Sequence, residues 1–458
     1  MANANNGASI TSREDLINWI AQGETSPQNW RIGTEHEKFL FMRDDLRRPS
    51  YEEDNGVGAL LHRLVDTLDA APIMEGDTII GVKEANGGSL TLEPGGQFEL
   101  SGAPLETLHE TCGETSTHLR VMQAVTEEMG MGMLGVGYDP VWARDDVPWM
   151  PKGRYRIMRN HMPKVGTLGL DMMKRTCTIQ VNLDYRDERD MARKFRTSLA
   201  LQPVATAIFA NSPFKDGKPS GLLSTRAQAW TDTDTARCGV PACVFDDGFG
   251  YEQWVDYILD VPMYFLHRHN EDGGEYQDVA GLSFRDFMKG ELPGHEGELP
   301  MMADWEDHIT TAFPEVRLKT FLEMRGADGG PWNMICALPA LWVGLLYDDD
   351  ALTAAEDLAK GLTAEDVADA RMEAATHGFG GSIGGRNIGD IAQEMVSIAA
   401  SGLARRGYLD KKGEDEQYYL DPIRELVDSR KTRAEILLDL YHGDWGGDMR
   451  CLYRDFQY

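Results

Sequence analysis

Four short segments of this chain read as strands with a period of two, and they constrain its fold more than any other feature. They are TEHEKFLF (34–41), SLTLEPGGQFEL (89–100), TCTIQVNLDY (176–185) and FLEMRGAD (321–328). A period of two marks a β-strand with two unlike faces. In the third segment Cys177, Ile179, Val181 and Leu183 share one side, and Thr178, Gln180, Asn182 and Asp184 share the other. In the second, Phe98 and Leu100 oppose Gln97 and Glu99; in the fourth, Leu322 and Met324 oppose Glu323 and Arg325. Such strands, separated by helices of unequal length, imply an α+β fold: a mainly antiparallel sheet with one polar face and helices packed outside it.

Helical apolar spacing runs through residues 104–130, 188–210, 351–360, 363–377, 389–406 and 432–442. Thr11 with Glu14, and Thr432 with Glu435, have the spacing of a capping box and predict helix starts. Length alone, at about 150 residues per domain, would allow three domains. No repeat, low-complexity tract or Pro/Ser linker divides the chain, so residues 1–458 read as one catalytic unit. Residues 1–350 carry the sheet and residues 351–458 form a mainly helical part packed on it.

The formal net charge of −30 argues against a nucleic-acid or anionic-membrane partner, since either needs a dominant basic face. ICALPALWVGLLY (335–347) has 13 residues with Pro339 inside, too short to span a bilayer, and reads as a core helix. The first twenty residues lack a basic segment followed by an apolar one. The cysteines, Cys112, Cys177, Cys238, Cys243, Cys336 and Cys451, have no zinc spacing, and reduced thiols in a cytoplasm are the expectation. GMGMLG (130–135) matches a dinucleotide-binding pattern, but a helix precedes it and a strand follows, so it reads as a helix-to-strand turn.

The chemistry lies on the polar faces. Glu35 and Glu37 share one face of their strand with Cα atoms ~6.6 Å apart, a gap that suits two carboxylates reaching round hard cations. Mg²⁺ takes oxygen ligands and keeps water or phosphate oxygens in its shell. Glu93, Glu99, Gln180 and Glu323 could complete the cluster if the faces line one cavity, and Arg325, beside Glu323, could clamp a phosphoryl group. Each has a plainer reading: Glu-x-Glu as a solvated face, Glu323 with Arg325 as a surface ion pair, Gln180 satisfied by backbone. MPKGRYRIMRNHMPK (150–164) holds five basic residues in a very acidic chain, either a solvated loop or the wall of a carboxylate pocket. Trp230 and Arg237 lie in the polar stretch 226–239, which, like the Gly-rich 377–387, could act as a mobile loop. On these residues alone a phosphoryl-activating ligase, a two-metal phosphoesterase and an acidic Ca²⁺-binding module all stay open.

Longer runs narrow the choice. GTEHEKF, LEPGGQFELSGAPLETLHETC, MPKGRYRIMRNHMPKVGTLGLDMMKRTCTIQVNLDY, FPEVRLKTFLEMRGADGGPW and CALPALWVGLLYDDD closely resemble glutamate–cysteine ligases of the plant and proteobacterial type, from about Trp30 onward. The resemblance implies a fold like that of glutamine synthetase and ATP-dependent joining of the γ-carboxylate of glutamate to the amine of cysteine, or of another acceptor, through γ-glutamyl phosphate. It implies Mg²⁺ ligation by Glu35, Glu37, Glu93, Glu99, Gln180 and Glu323, with Glu37 and Arg325 catalytic. It places Arg159, Arg237, Trp230 and Thr178 with the substrates; a monomer or homodimer in the cytoplasm is the expectation beside it. A hairpin cysteine pair of the plant enzymes is replaced here by Val279 and Gly294, while Cys112 and Cys336 remain.

Overall fold

The computed structural model describes residues 7–268 and 274–458; the first six residues of the N-terminal stretch searched for a targeting signal lie outside it. Among the described residues nine strands form the main sheet. They are β1 (Ile32–Met42), β2 (Ala71–Glu75), β3 (Thr78–Lys83), β4 (Ser89–Leu92), β5 (Gln97–Ser101), β6 (Met131–Leu134), β7 (Thr178–Leu183), β8 (Val316–Leu318) and β9 (Leu322–Asp328). The order is β8-β9-β7-β1-β5-β4-β3-β2, antiparallel throughout, and the sheet does not close. β6 pairs with the second half of β1, along the edge that β7 occupies over the first half.

The apolar residues of the alternating pattern face helices. Leu40, Val82, Leu90, Phe98 and Leu100 pack with Leu60, Leu61 and Leu64 of helix Val57–Leu68 and with Met122 of helix Leu108–Glu128. Ile179, Val181, Leu183, Leu322 and Met324 pack with helices Glu188–Ile208 and Trp332–Leu346. Each such burial is worth about 1.5–3 kcal/mol. Helix Trp332–Leu346 is the apolar run read as a core helix; no helix among the described residues is long and apolar enough to cross a membrane. The polar face of β1 ends at Phe39 and Phe41, which pack with Leu437, Trp445, Leu452 and Tyr453 near the C-terminus.

Three local expectations shift. Residues 89–100 are two strands, β4 and β5, joined by the turn Glu93-Pro94-Gly95-Gly96, in which Gly96 takes φ +75° and its N–H donates to Glu93 O at 2.8 Å. Pro and Gly in sequence signal this reversal, and it lifts Glu93 out of the strand pattern. The first capping box lies one residue later, because Asp15 rather than Glu14 reaches back, accepting from Thr11 N at 2.8 Å and Ser12 N at 2.9 Å. In β9 the ladder steps from Met324↔Val181 to Ala327↔Ile179, so one extra residue bulges at Arg325-Gly326. The second capping box, Thr432 with Glu435, forms as expected, and 130–135 is the helix-to-strand turn. All six cysteines are free thiols; Cys112 and Cys336 are buried against each other.

A buried ion pair ties the β4–β5 turn to the end of β1. Arg48 donates to Asp139 Oδ2 at 3.2 Å and to Gly95 O at 2.9 Å, its guanidinium 4.7 Å from the centre of the Phe39 ring. Both partners are almost wholly buried, so removing one strands the other's charge. Asp139→Ala should cost about 3–5 kcal/mol in urea unfolding; a loss below about 1 kcal/mol would mean the pair does not hold the turn.

Candidate active site

The register brings the polar residues of β1, β5, β7 and β9 onto one face. Glu35 lies across from Gln180, Glu37 from Glu99, Glu99 from Thr91 and Glu323 from Asn182. Gln180 Nε2 and Asn182 Nδ2 donate to Glu35 at 3.2 and 2.8 Å; Thr178 N donates to Glu37 at 3.0 Å, and Thr91 Oγ1 to Glu99 at 2.7 Å. Burial, then the charges of Glu323 and Glu99, push the Glu35 carboxyl up to about 7. Burial and the charges of Glu93 and Glu99 push Glu37 well above its ordinary value, and burial with Glu93 raises Glu99. Acids whose ionisation is held back by burial and by one another gain most from a shared cation. Among the described residues no three His, Cys, Asp or Glu side chains close a metal shell by themselves. This donor set suits Mg²⁺, which is usually held by one or two carboxylates and completed by water and substrate phosphates.

Arg325 is aimed into this face by the bulge. Its Nη1 donates to Gln180 Oε1 at 2.7 Å and to Glu323. Its carbonyl accepts from Arg226 Nη2 at 2.8 Å and from Thr178 Oγ1 at 3.3 Å, while Gly326 O accepts from Thr206 at 3.1 Å. A Cβ on Gly326 would sit 2.4 Å from Gln202 Nε2, so the bulge needs glycine there. Glu323, expected as a metal ligand, has a different place. Its carboxylate is gripped by Arg317 at 2.9 Å on both oxygens, by Lys319 at 3.4 Å and by Arg325, with no exposed surface. Burial alone would raise its pKa, but these three cations hold it far below the ordinary carboxylate value. It anchors Arg325 instead of facing the hollow.

The hollow beside the carboxylates is lined by Glu37, Glu93, Thr178, Gln180 and Arg325, and beyond them by Arg154, Tyr155, Met158, Met172, Arg226, Trp230, Phe265, Thr311 and Phe313. Three of its donors are buried without a partner: Arg154 Nε, Arg226 Nε and Trp230 Nε1. With no protein partner, these three donors are available to a ligand or to water in the hollow.

Residues 31–455 match the model of glutamate-cysteine ligase family 2. The chain belongs to this family. It is 53% identical over 98% of its length to the chloroplastic glutamate–cysteine ligase of Nicotiana tabacum, covering 83% of that protein, and equally so to that of Arabidopsis thaliana. With ligase B of rice (Oryza sativa subsp. japonica) it shares 52% identity, over 98% of this chain and 87% of the other. In fold it is similar to a glutamate–cysteine ligase of Francisella tularensis solved in complex with AMP, with a TM-score of 0.52 and 14% identity over 93% of this chain and 89% of that one. The cytoplasmic placement expected from the sequence is overturned by these plant relatives, which are chloroplastic by name.

Within this ligase-family chain the two expected substrate arginines lie elsewhere. Helix Gly153–His161 turns Arg154 and Met158 toward the hollow, four residues apart on one face, and leaves Arg156 and Arg159 exposed. Arg159 lies 4.9 Å over the Trp149 ring on the outer surface. Arg237 has no exposed surface. Its guanidinium donates to Asp234 at 2.6 Å, Thr311 O at 3.1 Å and Pro262 O at 2.7 Å, which leaves nothing for a ligand. It ties together three wall segments: the one after helix Thr225–Thr231, the one before Phe265, and Thr310–Phe313. Arg226, missed in the sequence, stands one helical turn before Trp230, and that spacing was the available signal. The Gly-rich 377–387 does not line the hollow; Ile383 and Ile388 sit in the main core, and the expectation of a lid there fails.

Beneath the wall, His308 Nε2 donates to Ile258 O at 2.9 Å, and its carbonyl accepts from Thr311 Oγ1 at 2.7 Å. Burial pushes this imidazole down to about 4 from 6.5. The folded pKa is depressed, so the His308 contribution is fully present above pH 6.5 and is lost as pH falls toward 4. Between pH 7 and pH 5 urea unfolding should show about 2 kcal/mol of acid sensitivity that His308→Gln abolishes. An unchanged pH slope in the variant would refute this.

Proposed function

We propose that this hollow joins the γ-carboxylate of glutamate to the amine of cysteine, driven by ATP, through γ-glutamyl phosphate. The reading rests on Arg325, Glu37 and Glu93 sharing one hollow with the unpaired donors of Arg154, Arg226 and Trp230, with Glu35 and Glu99 on the same sheet face beside it, in a chain of this family. Two or more Mg²⁺ ions would be held by Glu35, Glu37, Glu93 and Glu99, and when bound they supply positive charge to the nucleotide's phosphates. Arg154 and Arg226 receive substrate carboxylates, the fork geometry of guanidinium matching that group. Trp230, Phe313, Met158 and Met172 form the apolar part of the wall, suited to a thiol side chain.

In the first step a γ-carboxylate oxygen of glutamate bonds to the terminal phosphorus of ATP, and ADP leaves. Arg325 keeps Nε and Nη2 free of protein partners and offers them to the charge that builds on the transferring phosphoryl oxygens. Gln180 acts in support, holding Arg325 through its oxygen and Glu35 through its amide nitrogen. Thr178 orients Glu37 through its N–H. In the second step the neutral amine of cysteine attacks the acyl carbon, the C–N bond forms, the acyl C–O bond breaks, and phosphate leaves carrying the proton that the amine gives up. The acyl phosphate survives only where water is excluded, and half-buried Trp230 with buried Arg226 gives the wall that role. The chain acts as one catalytic unit, since Leu352, Ile391 and Leu420 share a core with Val181 and Leu322 of the sheet.

Incubation with ATP, Mg²⁺ and glutamate, with and without cysteine and with a panel of other amines, tests the reading. ADP and a γ-glutamyl dipeptide should appear together and depend on cysteine. Phosphate release indifferent to any amine would replace the ligase with a phosphoesterase. Glu37→Gln should lower kcat by about a hundredfold or more while the melting temperature holds or rises, because like-charge repulsion is relieved. Arg325→Lys should lose about as much, since an ammonium lacks the planar fork. Near-normal turnover in either variant at ordinary Mg²⁺ would remove that residue from the mechanism.

A further inference from the structure

A second cavity lies away from the reaction hollow and shares no residue with it. It is a cleft of about 620 Å³ between the outer face of helix Glu188–Ile208, the turn around Phe245–Gly250 and the segment after helix Asp349–Ala359. Arg189, Arg193 and Arg196 project from one side of the first helix at spacings of three and four, and Lys360 faces them from the opposite wall. The lining carries two carboxylates, and both are engaged. Glu356 takes Arg193 in a two-pronged pair at 2.9 and 2.6 Å, and Glu188 accepts from Tyr251 N at 2.7 Å. Arg196 is fixed on the carbonyls of Val244 and Asp246 at 2.8 and 2.7 Å. The side chains of Arg189 and Lys360, exposed at the rim, have no hydrogen-bond or ion-pair partner among the described residues, and Arg193 and Arg196 each keep an Nη1 unengaged. Asp246 and Asp247 lie in the turn but do not line the cleft.

In a chain of net charge −30 this is a local reversal of sign. Exposed charges act over about 8 Å at physiological ionic strength, so the lining, not the net charge, decides what enters. Fixed guanidinium groups with donors to spare recognise carboxylate and phosphate oxygens, and Phe245, Phe249 and Leu362 offer apolar contact for a carbon skeleton. We propose that this cleft is a second ligand site, taking a small polyanion with two or more carboxylate or phosphate groups. The same helix continues to Gln202 and Thr206, which back the bulge at Gly326 behind Arg325, so the cleft has a direct structural link to the reaction centre.

Calorimetric titration of the full chain in metal-free buffer with citrate, and separately with pyrophosphate, tests this. At least one probe should bind, more weakly at 0.5 M than at about 0.05 M NaCl. Arg189→Glu with Lys360→Glu should weaken that binding by about tenfold or more while melting temperature and basal turnover hold. Arg226→Ala, in the reaction hollow, should leave it unchanged. Whichever probe binds identifies the ligand as carboxylate or phosphate. No binding of either probe at millimolar concentration, equal binding to the double variant, or loss in Arg226→Ala would each overturn the proposal.

Discussion

The constraint on which the site depends is the mutual repulsion of carboxylates held on one face of a sheet. Glu35 and Glu37 cannot turn away from each other, because β1 lies between β7 and β5 and its register sets both side chains toward Gln180 and Glu99. Their other neighbours make the crowding worse: Glu93 arrives from the β4–β5 turn and Glu99 from β5, with Glu35, Glu37 and Glu93 half-buried and Glu99 buried. The sheet stabilises this placement through its opposite face, where Leu40, Phe98, Leu100, Ile179 and Val181 are fully or almost fully buried. Burial of these apolar side chains, with Lys38 hydrogen-bonded to His36 and Phe98 O among them, thus holds an electrostatically unfavourable arrangement on the other side. Local strain of this kind is characteristic of functional sites, and a cation is its natural relief.

Arg325 solves a different geometric problem. A regular strand would place it in line with Glu323, two residues along and one ladder step away. The extra residue in β9 changes its direction, and the carbonyls freed by the bulge are taken up by Arg226, Thr178 and Thr206. Glu323 fixes the other side of the guanidinium while being neutralised by Arg317 and Lys319. The ion cluster at Glu323 is therefore a mount, fully satisfied within the protein, whereas the cluster at Glu35 and Glu37 is not. Two acidic groups read alike from alternation alone have opposite electrostatic fates, decided by β8, which delivers Arg317.

This difference marks the limit of what could be read from the residues. Period-two alternation identified the faces of β1, β5, β7 and β9, since strand geometry is local and strict. The long helices followed from apolar spacing for the same reason. Four things depended on information that is not local. The hairpin at 89–100 hid inside one apparent strand, because Phe98 and Leu100 continue the parity of Leu90 and Leu92. The basic run 150–164 was legible as a cluster, but only the phase of helix Gly153–His161 separates inward Arg154 from outward Arg159. Arg237 stood in a polar stretch, and burial by Tyr264 and Thr311 comes from segments far along the chain. Arg317 is an ordinary basic residue in FPEVRLKTFLEMRG until pairing places it against Glu323.

The arginines show how one residue type divides its work by environment. Arg325 and Arg226 keep a portion of each guanidinium on the hollow and commit the rest to neighbours. Arg237 commits all of it to Asp234, Thr311 and Pro262, and so converts three separate wall segments into one body. The hollow lined by Glu37 and Arg325 is about 100 Å³, well short of what a nucleotide and two amino acids need together. Because Arg237 links the stretch that follows Trp230 to the one that carries Phe313, these elements cannot separate without breaking the buried hydrogen bonds from its guanidinium to Thr311 O and Pro262 O. An arginine placed with the substrates by sequence thus acts at one remove, by fastening three segments of the wall to one another.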